Sequence, residues 1–75
     1  MAQQLTHKQM AEIIGKRLVK LRGVRTRTGV ARELGVGYNS LGNYEKGIRI
    51  PPDDVKVRIA QYYGIDVYEL FFNFD

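Results

Sequence analysis

Two glycines, Gly35 and Gly47, close two short helical runs within residues 27–49, RTGVARELGVGYNSLGNYEKGIR, and that spacing constrains the chain most. Helices this short are not stable alone, because nucleation is costly and few hydrogen bonds follow it. They persist only when their inner faces are buried against each other and the rest of the chain. Ala31, Leu34, Val36 and Leu41 are placed to lock the pair together. Thr26 suits the N-cap of a helix over 27–34, with Val30, Ala31 and Leu34 as its inner stripe. Gly35 stands where a helix ends in a left-handed conformation. A second helix then spans 38–45 and stops before Gly47. Gly29 costs about 1 kcal/mol against Ala inside the first of these helices. Close packing against another helix is its favoured reading, and close approach to a phosphate is the alternative.

The remaining segments are helical too. In 9–22, Met10, Ile13, Ile14, Leu18 and Leu21 fall on one face, with Lys16, Arg17 and Lys20 towards water. Gly23 is the stop. The segment IRIPP is extended, because each Pro disfavours helix in the residue before it. A fourth helix spans 53–63, opened by Pro52 and Asp53 and ended by Gly64. Its inner face combines Val55, Ile59, Tyr62 and Tyr63, or Val57 and Ala60. Asp66 and Glu69 form a capping box for a fifth helix, along which Val67, Leu70, Phe71 and Phe74 follow i, i+3, i+4, i+7 spacing. No stretch alternates with period two. The expected fold is all-α: a bundle of five short helices in one domain over 1–75, with 1–8 as a flexible N-terminal arm.

With 75 residues there is room for one domain and a modest core. The chain has no Cys, so no thiol metal site or disulfide, and its lone His7 reads as a solvated side chain. Neither a nucleophile–base pair nor a ligand cluster stands out, so no catalytic residue, metal, cofactor or small-molecule ligand is expected. No apolar run approaches the roughly 20 residues of a membrane span. The opening MAQQLTHKQ lacks a signal-peptide core, and a cytoplasmic location is expected. Charge is unevenly placed. Residues 1–52 carry ten Lys or Arg against three Glu, net +7, while residues 53–75 carry two against five acids, net −3. A basic segment beside an acidic one suggests an oriented polyanion-binding face.

The helix over 38–45 has an unusual surface. Tyr38, Asn39, Asn43 and Lys46 share one outward face by i+3 and i+4 spacing, with Ser40 beside them. These are amide, hydroxyl and aromatic groups, in place of the usual Glu/Lys mixture of a solvated helix. Asn makes bidentate hydrogen bonds to adenine in the major groove, and a Tyr ring packs on a thymine methyl or reaches a base edge. Gly42 removes bulk from the middle of this helix, which favours close approach.

Taken with their flanks, these segments resemble a known family. IGKRLVKLR, RTGVARELGVGYNSLGNYEKGIRIP and IAQYYGIDVYELF are similar to the phage repressor/Cro-type (XRE-like) helix-turn-helix proteins, across about residues 13–72. Gly15, Leu18 and Arg22 match the first helix, Ala31 the helix crossing, Gly35 the turn, and Glu45 with Gly47 the exit from the recognition helix. The resemblance implies a lambda repressor-like DNA-binding domain. It assigns base reading to Tyr38, Asn39, Ser40 and Asn43, and phosphate binding to Thr26, Arg27, Lys46 and Arg49. Arg27 stands where the family usually has Gln; a cation at a helix N-terminus keeps an anion site there. Arg22 and Glu45 match a pair that resembles a structural salt bridge between the first and third helices. The link from Arg22 to Arg27 is shorter than the family pattern, which implies a tilted or earlier-ending first helix.

The implied function is a sequence-specific transcriptional regulator of double-stranded DNA. The leading expectation is a repressor that occupies an inverted-repeat operator as a homodimer, in a prokaryotic, phage or mobile-element setting. Phe72 and Phe74 are the expected dimer contacts, because one helix face cannot bury them together with Phe71. An antitoxin, a restriction-modification controller and a protein-interaction module on the same fold stay open as alternatives.

Overall fold

Caps and glycines set most helix ends where the sequence predicts them. The computed structural model describes residues 4–75, which form five α-helices and no strand among the described residues. They are α1 (His7–Arg22), α2 (Arg27–Leu34), α3 (Tyr38–Glu45), α4 (Asp53–Tyr63) and α5 (Val67–Phe71). The bounds of α2, α3 and α4 are those expected. Thr26 Oγ1 accepts from Gly29 N at 3.0 Å and caps α2.

Two boundaries differ, the start of α1 and the end of α5. α1 starts at His7 because Thr6 and Gln9 form a full capping box, with Thr6 Oγ1 accepting from Gln9 N and Gln9 Oε1 accepting from Thr6 N. The arm expected over 1–8 therefore loses His7 and Lys8 to the helix, and residues 1–3 lie outside the described segment. The short link neither trims α1 nor ends it early, since the helix runs to Arg22. α5 stops at Phe71, so Phe74 lies beyond the helix although its ring still packs against the core. Asp66 accepts from Tyr68 N and Glu69 N, while the Glu69 carboxylate accepts from Asn73 Nδ2 at 3.0 Å.

The core joins all five helices. Ile14 and Leu18 of α1, Val30 and Leu34 of α2, Leu41 and Tyr44 of α3, Val55 and Ile59 of α4, and Leu70 and Phe71 of α5 are buried in one cluster. On α4 the inward residues are Val55, Ile59 and Ala60, with Tyr62 and Tyr63 half-buried, and Val57 is left exposed. α1 and α2 both pack on α3, and α4 carries α5.

Two arginines fasten helix ends. Arg17, expected on the solvated face of α1, donates from Nη1 to the Glu69 and Leu70 carbonyls at 3.1 Å each, and from Nη2 to the Asn73 carbonyl. Those carbonyls lie at the C-terminus of α5, where a cation offsets the exposed dipole. Arg58 does the same for α2, donating from Nη1 to the Leu34 carbonyl at 3.0 Å.

Candidate nucleic-acid interface

α3 is presented by its neighbours. Gly35, at φ 73°, turns the chain between α2 and α3, with Gly35 N on the Arg32 carbonyl and Val36 N on the Ala31 carbonyl. That pair of bonds is a Schellman stop, and the left-handed residue in it favours glycine. Gly47, at φ 74°, ends α3 in the same way, with Gly47 N on Tyr44 and Ile48 N on Asn43. Beneath α3, α1 approaches without a side chain between. A Cβ on Gly15 would lie 2.6 Å from the Glu45 carbonyl oxygen and 2.9 Å from Gly47 N.

The outward face of α3 carries the expected side chains. Tyr38 is 51% exposed, Asn39 and Lys46 are exposed, and Ser40 and Asn43 are half-buried at the margins. Arg49 and Ile48 are exposed just past the helix, so two cations and an apolar side chain extend the same end. Thr26 is exposed at the N-terminus of α2.

Behind this face lies a buried ion triad. Glu45 is 5% exposed, the one charged residue in the core among those described. Arg22 Nε donates to its Oε2 at 2.8 Å, and Arg27 Nε donates to its Oε1 at 3.0 Å. Arg22 also donates from Nη1 to the Arg25 carbonyl at 2.6 Å, fixing the α1–α2 link. A carboxylate taken out of water needs such partners on both oxygens. The hydrogen bond to Glu45 raises the Arg27 pKa, with burial opposing it.

Arg27, expected at phosphate, donates from Nε to Glu45, and its guanidinium lies 5.5 Å from the Tyr38 ring centroid. Gly42, expected to ease approach from outside, is buried; a Cβ there would meet Arg27 Nη1 at 3.3 Å. The missing side chain makes room for Arg27. Gly29 likewise serves the α2 cap, since its Cβ would sit 3.0 Å from Thr26 Oγ1.

The two phenylalanines expected at a dimer contact separate. Phe72 is 49% exposed, with Lys56 Nζ 4.8 Å from its ring centroid. Phe74 is half-buried beneath Arg17, 5.5 Å from its ring centroid, and belongs to the core edge. Val57 and Tyr68 are exposed on α4 and α5. Sequence reasoning missed a second cluster. Arg25 lies over the Tyr62 and Tyr63 rings, and Tyr62 donates to Glu33, which raises the Tyr62 pKa. The R-x-x-x-x-x-x-x-E spacing of Arg25 and Glu33 gave no signal for it, because the tyrosines come from α4.

Among the described residues no helix is long and apolar enough to cross a membrane, and no three His, Asp or Glu side chains are grouped to hold a metal. A family model described as helix-turn-helix matches residues 25–70, well over half of the chain. No curated protein and no solved structure matches it. The matched stretch omits α1, which the Arg22–Glu45 pair and the Gly15 contact nevertheless bind to α3.

Proposed function

Because the chain belongs to the Cro/C1-type helix-turn-helix family of DNA-binding regulators, we propose that it is a repressor that binds an inverted-repeat operator as a homodimer. The observation that carries this reading is the face of α3. Tyr38 and Asn39 stand outward, with Ser40 and Asn43 at the margins, on a helix that α1 and α2 pack against from behind. Amides and a phenol suit base edges in the major groove, whereas a solvated helix needs no such set.

In this reading Thr26, Lys46 and Arg49 bind phosphates around the reading helix, and Arg27 is set apart from them by its contacts with Glu45 and Tyr38. The mechanism is occupancy, and the protein carries out no chemistry of its own. One reading head spans only a few base pairs. A two-fold dimer puts two heads on successive major grooves, about 34 Å apart, and supplies the rest of the specificity. The exposed Phe72, together with the exposed Tyr68 of α5, offers apolar side chains for the second copy. A cytoplasmic site in a prokaryote, phage or mobile element fits this role.

Selection from a random duplex pool tests the reading. The retained DNA should contain an inverted repeat with half-sites about one helical turn apart, bound by two chains. Affinity should fall steeply with salt, and Lys46→Ala or Arg49→Ala should each lower the slope of log K against log salt by about one. A pool without enrichment at low salt would contradict it.

A further inference from the structure

The C-terminal end of the bundle carries a consequence for assembly, one that rests on the reading of Phe72 as a contact with a second copy. We propose that Arg17 is a positioning residue for self-association: it pins the backbone on both sides of Phe72 and so aims that ring at the second copy.

α5 has five residues, too few to hold its own end in place. Its last turn is held from outside. Arg17 Nη1 donates to the Glu69 and Leu70 carbonyls at 3.1 Å each, and Nη2 donates to the Asn73 carbonyl. Leu70 and Asn73 bracket Phe72 along the chain, so one planar guanidinium fixes both ends of the segment that carries it. Phe74 closes the clamp from beyond, its ring centroid 5.5 Å from Arg17 Cζ. Within the segment, Phe72 N and Asn73 N both donate to the Tyr68 carbonyl, at 2.8 and 2.9 Å. The three phenylalanines are thereby sent to different places. Phe71 is buried, Phe74 is half-buried, and Phe72 stays 49% exposed.

An exposed ring on an unpinned chain end would have to be ordered when the second copy arrives, and that cost is subtracted from the contact. Pinned, it is an anchor set in advance, and buried aromatic anchors dominate the free energy of many interfaces. A two-fold contact uses the residue twice, so any gain or loss is doubled. The clamp also fixes where this contact stands relative to the reading helix. Gly15, two residues before Arg17 on α1, is where that helix meets the backbone of α3 at Glu45 and Gly47. One helix thus joins the reading head to the self-contact. The net −3 of residues 53–75 disfavours phosphate at this end. Lysine cannot replace Arg17, because a single ammonium does not span carbonyls on both sides of Phe72.

The test compares wild type, Arg17→Lys, Phe72→Ala and the double variant on two duplexes, the selected inverted repeat and a single half-site. Arg17→Lys should bind the half-site as wild type does and the inverted repeat about tenfold more weakly, the ordering cost of one side chain in each of two chains. It should also accept half-site spacings that the wild type rejects. In the Phe72→Ala background it should add nothing. Without DNA, the dimer dissociation constant from sedimentation equilibrium should rise by a similar factor. In NMR spectra of the wild type, the Arg17 Nη protons should be resolved by hindered rotation. An unchanged affinity of Arg17→Lys for the inverted repeat, an equal loss on both duplexes, or freely rotating Nη groups in the wild type overturns the proposal alone. A wild type that binds the inverted repeat as one chain, or full cooperativity in Phe72→Ala, overturns the reading of Phe72 and the proposal with it.

Discussion

Arg27 and Glu45 are joined by a 3.0 Å hydrogen bond from Nε to Oε1, on the carboxylate whose other oxygen already holds Arg22. One buried acid thus ties the N-terminus of α2 and the C-terminus of α1 to the end of α3. The surface of the reading helix and the stability of the fold meet at this point.

Removing that acid leaves two arginines facing each other around a polar hole. Glu45→Ala should cost about 3–5 kcal/mol, the range for breaking a buried pair from one side. Glu45→Gln keeps the shape but not the charge and should cost less. Urea melts check this; an unchanged midpoint for Glu45→Ala would show that the triad is not structural.

Gly15 sets the distance between α1 and α3. A methyl at that position meets backbone atoms, the Glu45 carbonyl oxygen at 2.6 Å and Gly47 N at 2.9 Å, which cannot rotate away. Gly15→Ala should therefore destabilise by about 1–3 kcal/mol or more, the usual cost of overpacking. Gly64→Ala is the comparison: its φ is strained at 67° but nothing lies within 4 Å of its Cβ, so its loss should be smaller. The thermal midpoints of the two variants rank them, and a smaller loss for Gly15→Ala would contradict the close approach.

How far the chain can be read in advance differs by residue. The bounds of α2, α3 and α4 were legible because caps and left-handed glycines are local signals. So was the outward set on α3, through helical spacing. The capping box of Thr6 and Gln9 is equally local and marks the start of α1. The contacts of Arg27, Arg17 and Phe74 were not legible, for a different reason. Their partners, Glu45, the α5 carbonyls and Arg17 respectively, come from distant segments. A sequence gives the charge of an arginine but not which acceptor lies unfilled beside it after folding. Gly42 was the one local hint, a buried glycine within a helix, and its empty volume belongs to Arg27.

Tyr63 has a buried hydroxyl without a hydrogen-bond partner. Burial raises its pKa, with the Glu45 charge adding to the shift, and the Glu33 bond raises that of Tyr62. Both groups are held in the neutral form, so the unfolded chain releases these protons first. Their contribution is present in full below pH 10.0, the unperturbed value, and is lost as pH rises through the higher folded values. Tyr63→Phe should be neutral or stabilise by up to about 1 kcal/mol, because it removes an unpaired polar group. It should also flatten the fall of the thermal midpoint above pH 10.0. A clear loss of stability at pH 7 would contradict this assignment.

The most direct test of the central claim is an amide NMR titration of the intact chain with the selected duplex. The account predicts that the largest shifts fall on Tyr38, Asn39, Ser40 and Asn43, with Thr26, Lys46 and Arg49 around them, while α5 moves little. Shifts centred on α4 and α5, with the face of α3 unchanged, would contradict it.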